Sequence, residues 1–162
     1  MLVPLDGSAY AEEALPLAAS LAREYHRTLL LVRVVVPVAK TATGAEGIAL
    51  IQTEQDLDTH EARAYLAAVR LRVANTTGLP VEAMMRTGDA ADEFLQLAEG
   101  YPDSLIVMTT HGRSGLARVL TGSVAAHIVR RAHLPVLIIP PRAVSEKAIP
   151  QLEQLVVDAV EH

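Results

Sequence analysis

Residues 104–140, SLIVMTTHGRSGLARVLTGSVAAHIVRRAHLPVLIIP, decide the fold. Ser104 to Met108 is a short aliphatic run with the length and composition of a buried strand. Thr109-Thr110-His111-Gly112-Arg113-Ser114-Gly115 follows it, and glycines there permit turns closed to other residues. Gly122-Ser123 opens a helix expected over Ser123 to Ala132, because a serine hydroxyl accepts from a free amide of a first turn. Pro135 to Ile139 (PVLII) is a second aliphatic run. Strand, glycine-bearing loop, helix and strand in that order make a βαβ unit, whose strands run parallel.

The same alternation extends back to the start of the chain. Leu2 to Leu5 reads as a strand ended by Asp6-Gly7-Ser8. Ala14, Leu17, Ala18, Leu21 and Tyr25 have helical spacing, so a helix is expected from Ala9 to Tyr25, bent locally by Pro16. Thr28 to Val36 is nearly continuously aliphatic, as in a strand covered on both faces. Lys40 to Gly47 reads as a mobile loop, and a second helix is expected from about Leu50 to Asn75. Val81 to Thr87 is the third strand. Asp89 caps a third helix, with Ala91, Phe94, Leu95 and Ala98 as its apolar stripe. Met84 and Met85 belong to the strand and core. After Pro140-Pro141, the positions Ile149, Leu152, Leu155, Val156 and Ala159 suggest one more amphipathic helix, begun by Pro150. The sequence therefore divides into an α/β domain over 1–142 and a C-terminal helical extension over 143–162. The domain is doubly wound, a five-stranded parallel sheet with helices on both faces.

Composition agrees and excludes several functions. The chain has 162 residues, enough for one domain with one core, and is 51% hydrophobic but only 3% aromatic. Its net charge of −5, with 14 Lys and Arg scattered among 19 Asp and Glu, speaks against a nucleic-acid surface. No cysteine is present, which removes disulfides, thiol catalysis and thiolate metal sites. Met1-Leu2-Val3-Pro4 has no signal-peptide pattern and no apolar run approaches the roughly 20 residues that span a bilayer. A soluble, cytoplasmic protein without membrane partners is expected.

Ligands of open parallel sheets sit beyond the carboxyl ends of the strands, where strand order reverses. Pro4-Leu5-Asp6-Gly7-Ser8 and the segment Thr109 to Ser123 are the two candidate lips of such a crevice. In the second, Gly112 and Gly115 let backbone amides approach a ligand, the helix start at Gly122-Ser123 favours an anion, and Arg113 and Arg118 add charge. Taken alone, this loop fits a glycine-bearing turn with a serine cap about as well. Asp6 can cap the following helix, or accept a hydrogen bond from a ligand in the crevice.

No Gly-x-x-x-x-Gly-Lys-Ser/Thr, Gly-x-Gly-x-x-Gly or Gly-x-Ser-x-Gly motif occurs, so P-loop, dinucleotide-fold and hydrolase-elbow readings fall away. Asp56, Asp58, His60 and Glu61 resemble a metal cluster, but only Asp56 and His60 share a helix face, and position 64 is Ala rather than the second histidine of a zinc motif. They are read as a solvated face, and no metal-ligating protein residue is assigned. His111 is read as a loop residue making a structural hydrogen bond. His127 is expected on the exposed face of its helix.

The stretch Ser104 to Pro140, together with Leu2-Val3-Pro4-Leu5-Asp6-Gly7-Ser8, closely resembles the universal stress protein family. That family's nucleotide motif is Gly, two residues, Gly, nine residues, Gly, then Ser or Thr. Gly112, Gly122 and Ser123 match it, while Thr109 stands at the first glycine. The resemblance covers about residues 1–141. It implies the adenine nucleotide alpha hydrolase-like fold with strand order 3-2-1-4-5, and a homodimer formed through the last strand, Pro135 to Ile139. In ATP-binding members, the positions of Pro4, Leu5, Asp6 and Val34 line adenine and ribose, and Met108 and Thr109 lie beside the nucleoside. Gly112, Arg113, Gly122, Ser123 and the amide of Val124 then hold ribose and phosphates. The implied ligand is ATP, or AMP or another adenine nucleotide, with Mg²⁺ or Mn²⁺ on the phosphates, and the implied role is a dimeric stress-response or signalling module. Two alternatives stay open: a nucleotide-free dimeric interaction protein of the same fold, and a slow adenine-nucleotide hydrolase. No catalytic base is evident.

Overall fold

The computed structural model describes residues 1–37, 45–109 and 123–140, with 45–53 and 123 as backbone. The element order is β1 (Leu2–Pro4), α1 (Ala9–Glu12), α2 (Leu15–Glu24), β2 (Leu29–Val35), α3 (Ala45–Thr77), β3 (Val81–Thr87), α4 (Ala90–Glu99), β4 (Ile106–Thr109), α5 (Ser123–Arg131) and β5 (Val136–Ile139). All five strands are parallel and lie in the order β3-β2-β1-β4-β5. The order reverses between β1 and β4, which pair through Leu2 and Ile106.

The aliphatic runs are continuous because both faces of the sheet are covered. Side chains alternate across a strand. Val3, Leu5, Leu29, Leu31, Val81 and Val107 point to one face, where Ala18, Ala22, Leu66, Val69 and Val73 of α2 and α3 cover them. Leu2, Leu30, Val32, Ile106 and Met108 point to the other, against Phe94 and Leu97 of α4 and Ile128 of α5. Phe94 is the largest of the side chains buried outright. Each fully buried Leu, Ile or Phe stabilises by about 1.5–3 kcal/mol relative to exposure. Met84 and Met85 pack on opposite clusters from successive positions of β3.

Several expectations shift. Pro16 does not bend one helix but separates two. α1 ends at Glu12, α2 begins at Leu15, and the proline sits in the first turn of α2, where its missing N–H is not needed. The loop expected to reach Gly47 is shorter, since α3 starts at Ala45 and runs to Thr77. β4 begins at Ile106, because Ser104 is held in a turn by a bond from its amide to the Tyr101 carbonyl (3.1 Å). Leu97 rather than Leu95 completes the buried stripe of α4. The tail helix expected near residues 149–161 lies outside the described residues. Among the described residues, no helix is long and apolar enough to cross a membrane.

Candidate functional site

Parallel pairing brings the ends of β1, β2 and β4 to one edge of the sheet. β1 stops at Pro4, which lacks the N–H needed to continue the ladder, although the Leu5 amide still donates to the Val32 carbonyl (2.8 Å). The chain then turns. Asp6 Oδ1 accepts from the Ser8 amide (2.9 Å) and the Ser8 hydroxyl (2.6 Å). Ser8 Oγ in turn accepts from the Ala11 amide (3.1 Å), which makes it the N-cap of α1. Asp6 therefore orients the capping serine rather than capping the helix itself. Gly7 occupies the left-handed region, φ +85°.

The edge is completed by three more of the expected positions. Val34 is half-buried near the end of β2 and packs with the cluster that contains Met108. Met108 is buried, and Thr109 is the one buried polar residue among those described. Thr109 closes β4 in register with Ile139. Ser123 opens α5 and Val124 follows it, 37% exposed, in the connection between parallel β4 and β5. Gly112, Arg113 and Gly122, with His111 and Arg118, lie outside the described residues. Pro4, Leu5, Asp6, Val34, Met108 and Thr109 thus converge on one sheet edge at the reversal of strand order, where open parallel sheets take their ligands.

Arg33 carries no motif and stands out only in three dimensions. Its guanidinium lies against the turn: a Cβ on Gly7 would come within 2.6 Å of Arg33 Nη1. The same guanidinium stacks on Tyr65 of α3, 5.0 Å from the ring centroid. The Tyr65 hydroxyl donates to Glu12 Oε1 (2.9 Å), and Glu12 also pairs with Arg72. Burial, with help from the Glu12 hydrogen bond, pushes the Tyr65 phenol well above its usual range, so it stays a donor at any physiological pH. The signal in the sequence is that Arg33 is the only charged residue in the aliphatic run Thr28 to Val36.

Across the sheet, Asp89 caps α4 by accepting from the Ala91 and Asp92 amides, both at 3.0 Å. His127 is half-buried rather than exposed. Its Nε2 lies 2.7 Å from Arg131 Nη1 and 3.5 Å from Asp92 Oδ1, linking α5 to the first turn of α4. Asp56, Asp58, His60 and Glu61 form no metal group, and no cluster of three possible ligands exists among the described residues. A groove of about 1150 Å³ opens at the opposite, amino-terminal edge, beside Met1, Thr28, Tyr101, Ser104 and Pro135. It is lined by none of the residues that converge at the reversal point.

The family model of the universal stress protein family matches residues 1–140. Universal stress protein MJ0531 of Methanocaldococcus jannaschii is 33% identical over 139 residues, covering 86% of this chain and 80% of that protein. The solved structure of UspA from Lactobacillus plantarum superposes with a TM-score of 0.75 at 24% identity, covering 85% of this chain and 94% of that one. Three more distant structures share the fold with a nucleotide bound. One is from Arabidopsis thaliana with AMP (TM-score 0.61, 19% identity, covering 93% and 96% of the two chains). Another is from Archaeoglobus fulgidus with dAMP (0.59, 22%, 85% and 94%). The third is a universal stress protein with cAMP (0.55, 23%, 85% and 94%). The architecture is the adenine nucleotide alpha hydrolase-like fold. With the family model matched from the first residue to the end of the last strand, this chain belongs to the universal stress protein family.

Proposed function

We infer that the chain binds an adenine nucleotide at the carboxyl edge of β1, β2 and β4, and that ATP is the physiological ligand. The observation that carries this reading is the convergence of Pro4, Leu5, Asp6, Val34, Met108 and Thr109 at the reversal of strand order. Structures of the same fold hold AMP, dAMP and cAMP, which supports an adenine ligand. In this reading adenine and ribose lie against Pro4–Asp6 and Val34, beside Met108 and Thr109. Gly112, Arg113, Gly122, Ser123 and the Val124 amide take the ribose and phosphates. A start of helix at Ser123 presents free amides and a positive dipole end to an anion. A divalent cation, Mg²⁺ or Mn²⁺, would neutralise the phosphates and is held by them rather than by a protein cluster. In this reading the protein acts by binding rather than by turnover. It works in the cytoplasm as a dimeric stress-response or signalling module, joined through β5, with occupancy of the loop setting its partners.

A second reading rests on Thr109. It is 7% exposed and stands where the family motif has its first glycine, so its side chain fills space that bare backbone would leave to a ligand. On that reading the protein is a nucleotide-free dimeric interaction module. Calorimetric titration with ATP and Mg²⁺ separates the two. Micromolar binding, lost in Gly122→Asp because a carboxylate repels phosphate, is the expected result. Unchanged affinity in Gly122→Asp would remove the glycine loop from the site. No heat with the natural chain, but binding by Thr109→Gly, would establish the second reading.

A further inference from the structure

Helix α3 has 33 residues, about 50 Å at 1.5 Å per residue, while the seven-residue strands beneath it span only about 23 Å. Its core-facing residues are Ala62, Leu66, Val69 and Val73. On the opposite side, at seven-residue spacing, lie Leu57, Ala64 and Leu71. Leu57 is 57% and Leu71 51% exposed, and Ala64 and Ala68 between them are exposed too. The helix thus carries a second apolar seam turned away from its own sheet. Single exposed leucines are ordinary, but two at twice the heptad spacing with alanines between them form a surface another helix can enter.

Charge says which helix. From Glu54 to Glu61 there are four acids and no Lys or Arg. From Arg63 to Arg72 there are three arginines and no acid. This order suits the dipole of a lone helix, but it also makes the seam self-complementary. A parallel copy would set acid on acid and arginine on arginine. An antiparallel copy sets the acidic half of each against the basic half of the other. The midpoint of the seam is Ala64, whose small side chain lets two helices approach. With the two-fold axis there, Leu57 faces the partner's Leu71, Ala64 faces its own copy, and Asp56 comes level with the partner's Arg72. Arg72 keeps its contact with Glu12, since its side chain is 56% exposed.

We propose that α3 is an isologous docking surface for a second copy of this chain, paired antiparallel about Ala64. The surface lies on the β2–β3 side of the sheet, away from β5 at the other edge. It is therefore separate from pairing through the last strand, and a chain using both surfaces would contact two other copies.

The chain's lack of cysteine makes the test direct. Ala64→Cys, treated with a short bifunctional maleimide, should shift from one-chain to two-chain mass on a denaturing gel. Leu57→Cys alone should stay at one-chain mass, because antiparallel helices hold its two copies about 21 Å apart. The double variant Leu57→Cys with Leu71→Cys should link. All three are made in an Ile138→Lys background, so that pairing at β5 does not contribute. Adding Leu71→Glu, which sets a new acid against the partner's acidic half, should abolish the Ala64→Cys link. The variant should keep the circular dichroism spectrum of the natural chain, since Leu71 is exposed in the single chain. Failure of Ala64→Cys to link, or equal linking of Leu57→Cys, overturns the proposal; the latter would mean parallel pairing or random collision.

Discussion

At the scale of single residues, the turn after β1 rests on one contact that no short motif encodes. Gly7 adopts φ +85°, and the Arg33 guanidinium occupies the space where a Cβ would stand. An L-residue in this left-handed region costs about 1–2 kcal/mol by itself. The steric conflict adds to it, although the tip of Arg33 is flexible and can withdraw, at the expense of its stacking on Tyr65. Gly7→Ala is therefore expected to destabilise the fold by at least the backbone cost, about 1–2 kcal/mol, read from the chemical denaturation midpoint. Repeating it with Arg33→Ala should recover only the steric part. An unchanged midpoint would mean that the turn does not need a left-handed residue there. If the nucleotide reading holds, both variants also weaken ATP binding, since Asp6 precedes the same turn.

At the scale of elements, α4 shows how a cap and pH are coupled. Asp89 accepts two backbone hydrogen bonds at the helix start. The bond from the Asp92 amide is the main cause that holds its carboxyl below the ordinary range, and the Ala91 amide and the nearby His127 act in the same direction against the cost of desolvation. A carboxyl whose folded pKa is depressed contributes stability above its unfolded pKa, about 3.9, and loses it as pH falls through the folded value. Asp89→Ala should cost about 1 kcal/mol at neutral pH, as N-cap removal generally does. Asp89→Asn keeps an acceptor but carries no charge, so the gap in stability between this variant and the natural chain should close below about pH 4. A gap constant from about pH 7 to about pH 3, on either side of the ordinary carboxylate pKa, would show that charge plays no part in the cap. This element was legible in the sequence because its determinants are local: Gly88-Asp89 before an apolar stripe at helical spacing. The β-strand runs were legible for the same kind of reason, as aliphatic runs, whereas the strand order came only as what the resemblance to the universal stress protein family implied. Where the reading slipped, the deciding contact was not local. Pro16 sits in the first turn of α2 rather than inside one long helix, and Ala11 of α1, Ala14 between the helices and Ala18 of α2 all still reach the core. The role of Arg33 had no local signal, because its ring partner Tyr65 lies far along the chain. His127 left the exposed face only because Asp92 of α4 stands beside it. At the candidate site, Pro4 to Asp6 and Thr109 could be marked because they follow the first and fourth strands, whereas Val34 and Met108 were named only through the family resemblance.

At the scale of the whole molecule, the central strands are covered on both faces, and β3 and β5 are the two edge strands of the sheet. β4 is buried along its full length, yet its neighbour β5 is not: Val136, Leu137 and Ile139 are half-buried, and Ile138 is 37% exposed. Among the described residues β5 pairs on one side only, with β4, and an aliphatic edge strand invites further pairing unless it is blunted with charge or covered. None of the four β5 residues is charged, which supports a partner strand on this edge. A second copy satisfies it by a two-fold axis, each β5 then covering the other. Ile138→Lys places a charge at the most exposed point of that edge while leaving the core intact, since the residue is not part of either buried cluster. Sedimentation is expected to show a fall in mass relative to the natural chain, with an unchanged circular dichroism spectrum. If α3 also pairs, the variant settles as a dimer from a larger assembly; if it does not, as a monomer from a dimer. A mass that does not change would mean that β5 is not the joining edge, and the aliphatic strand would then have to be covered from within the same chain.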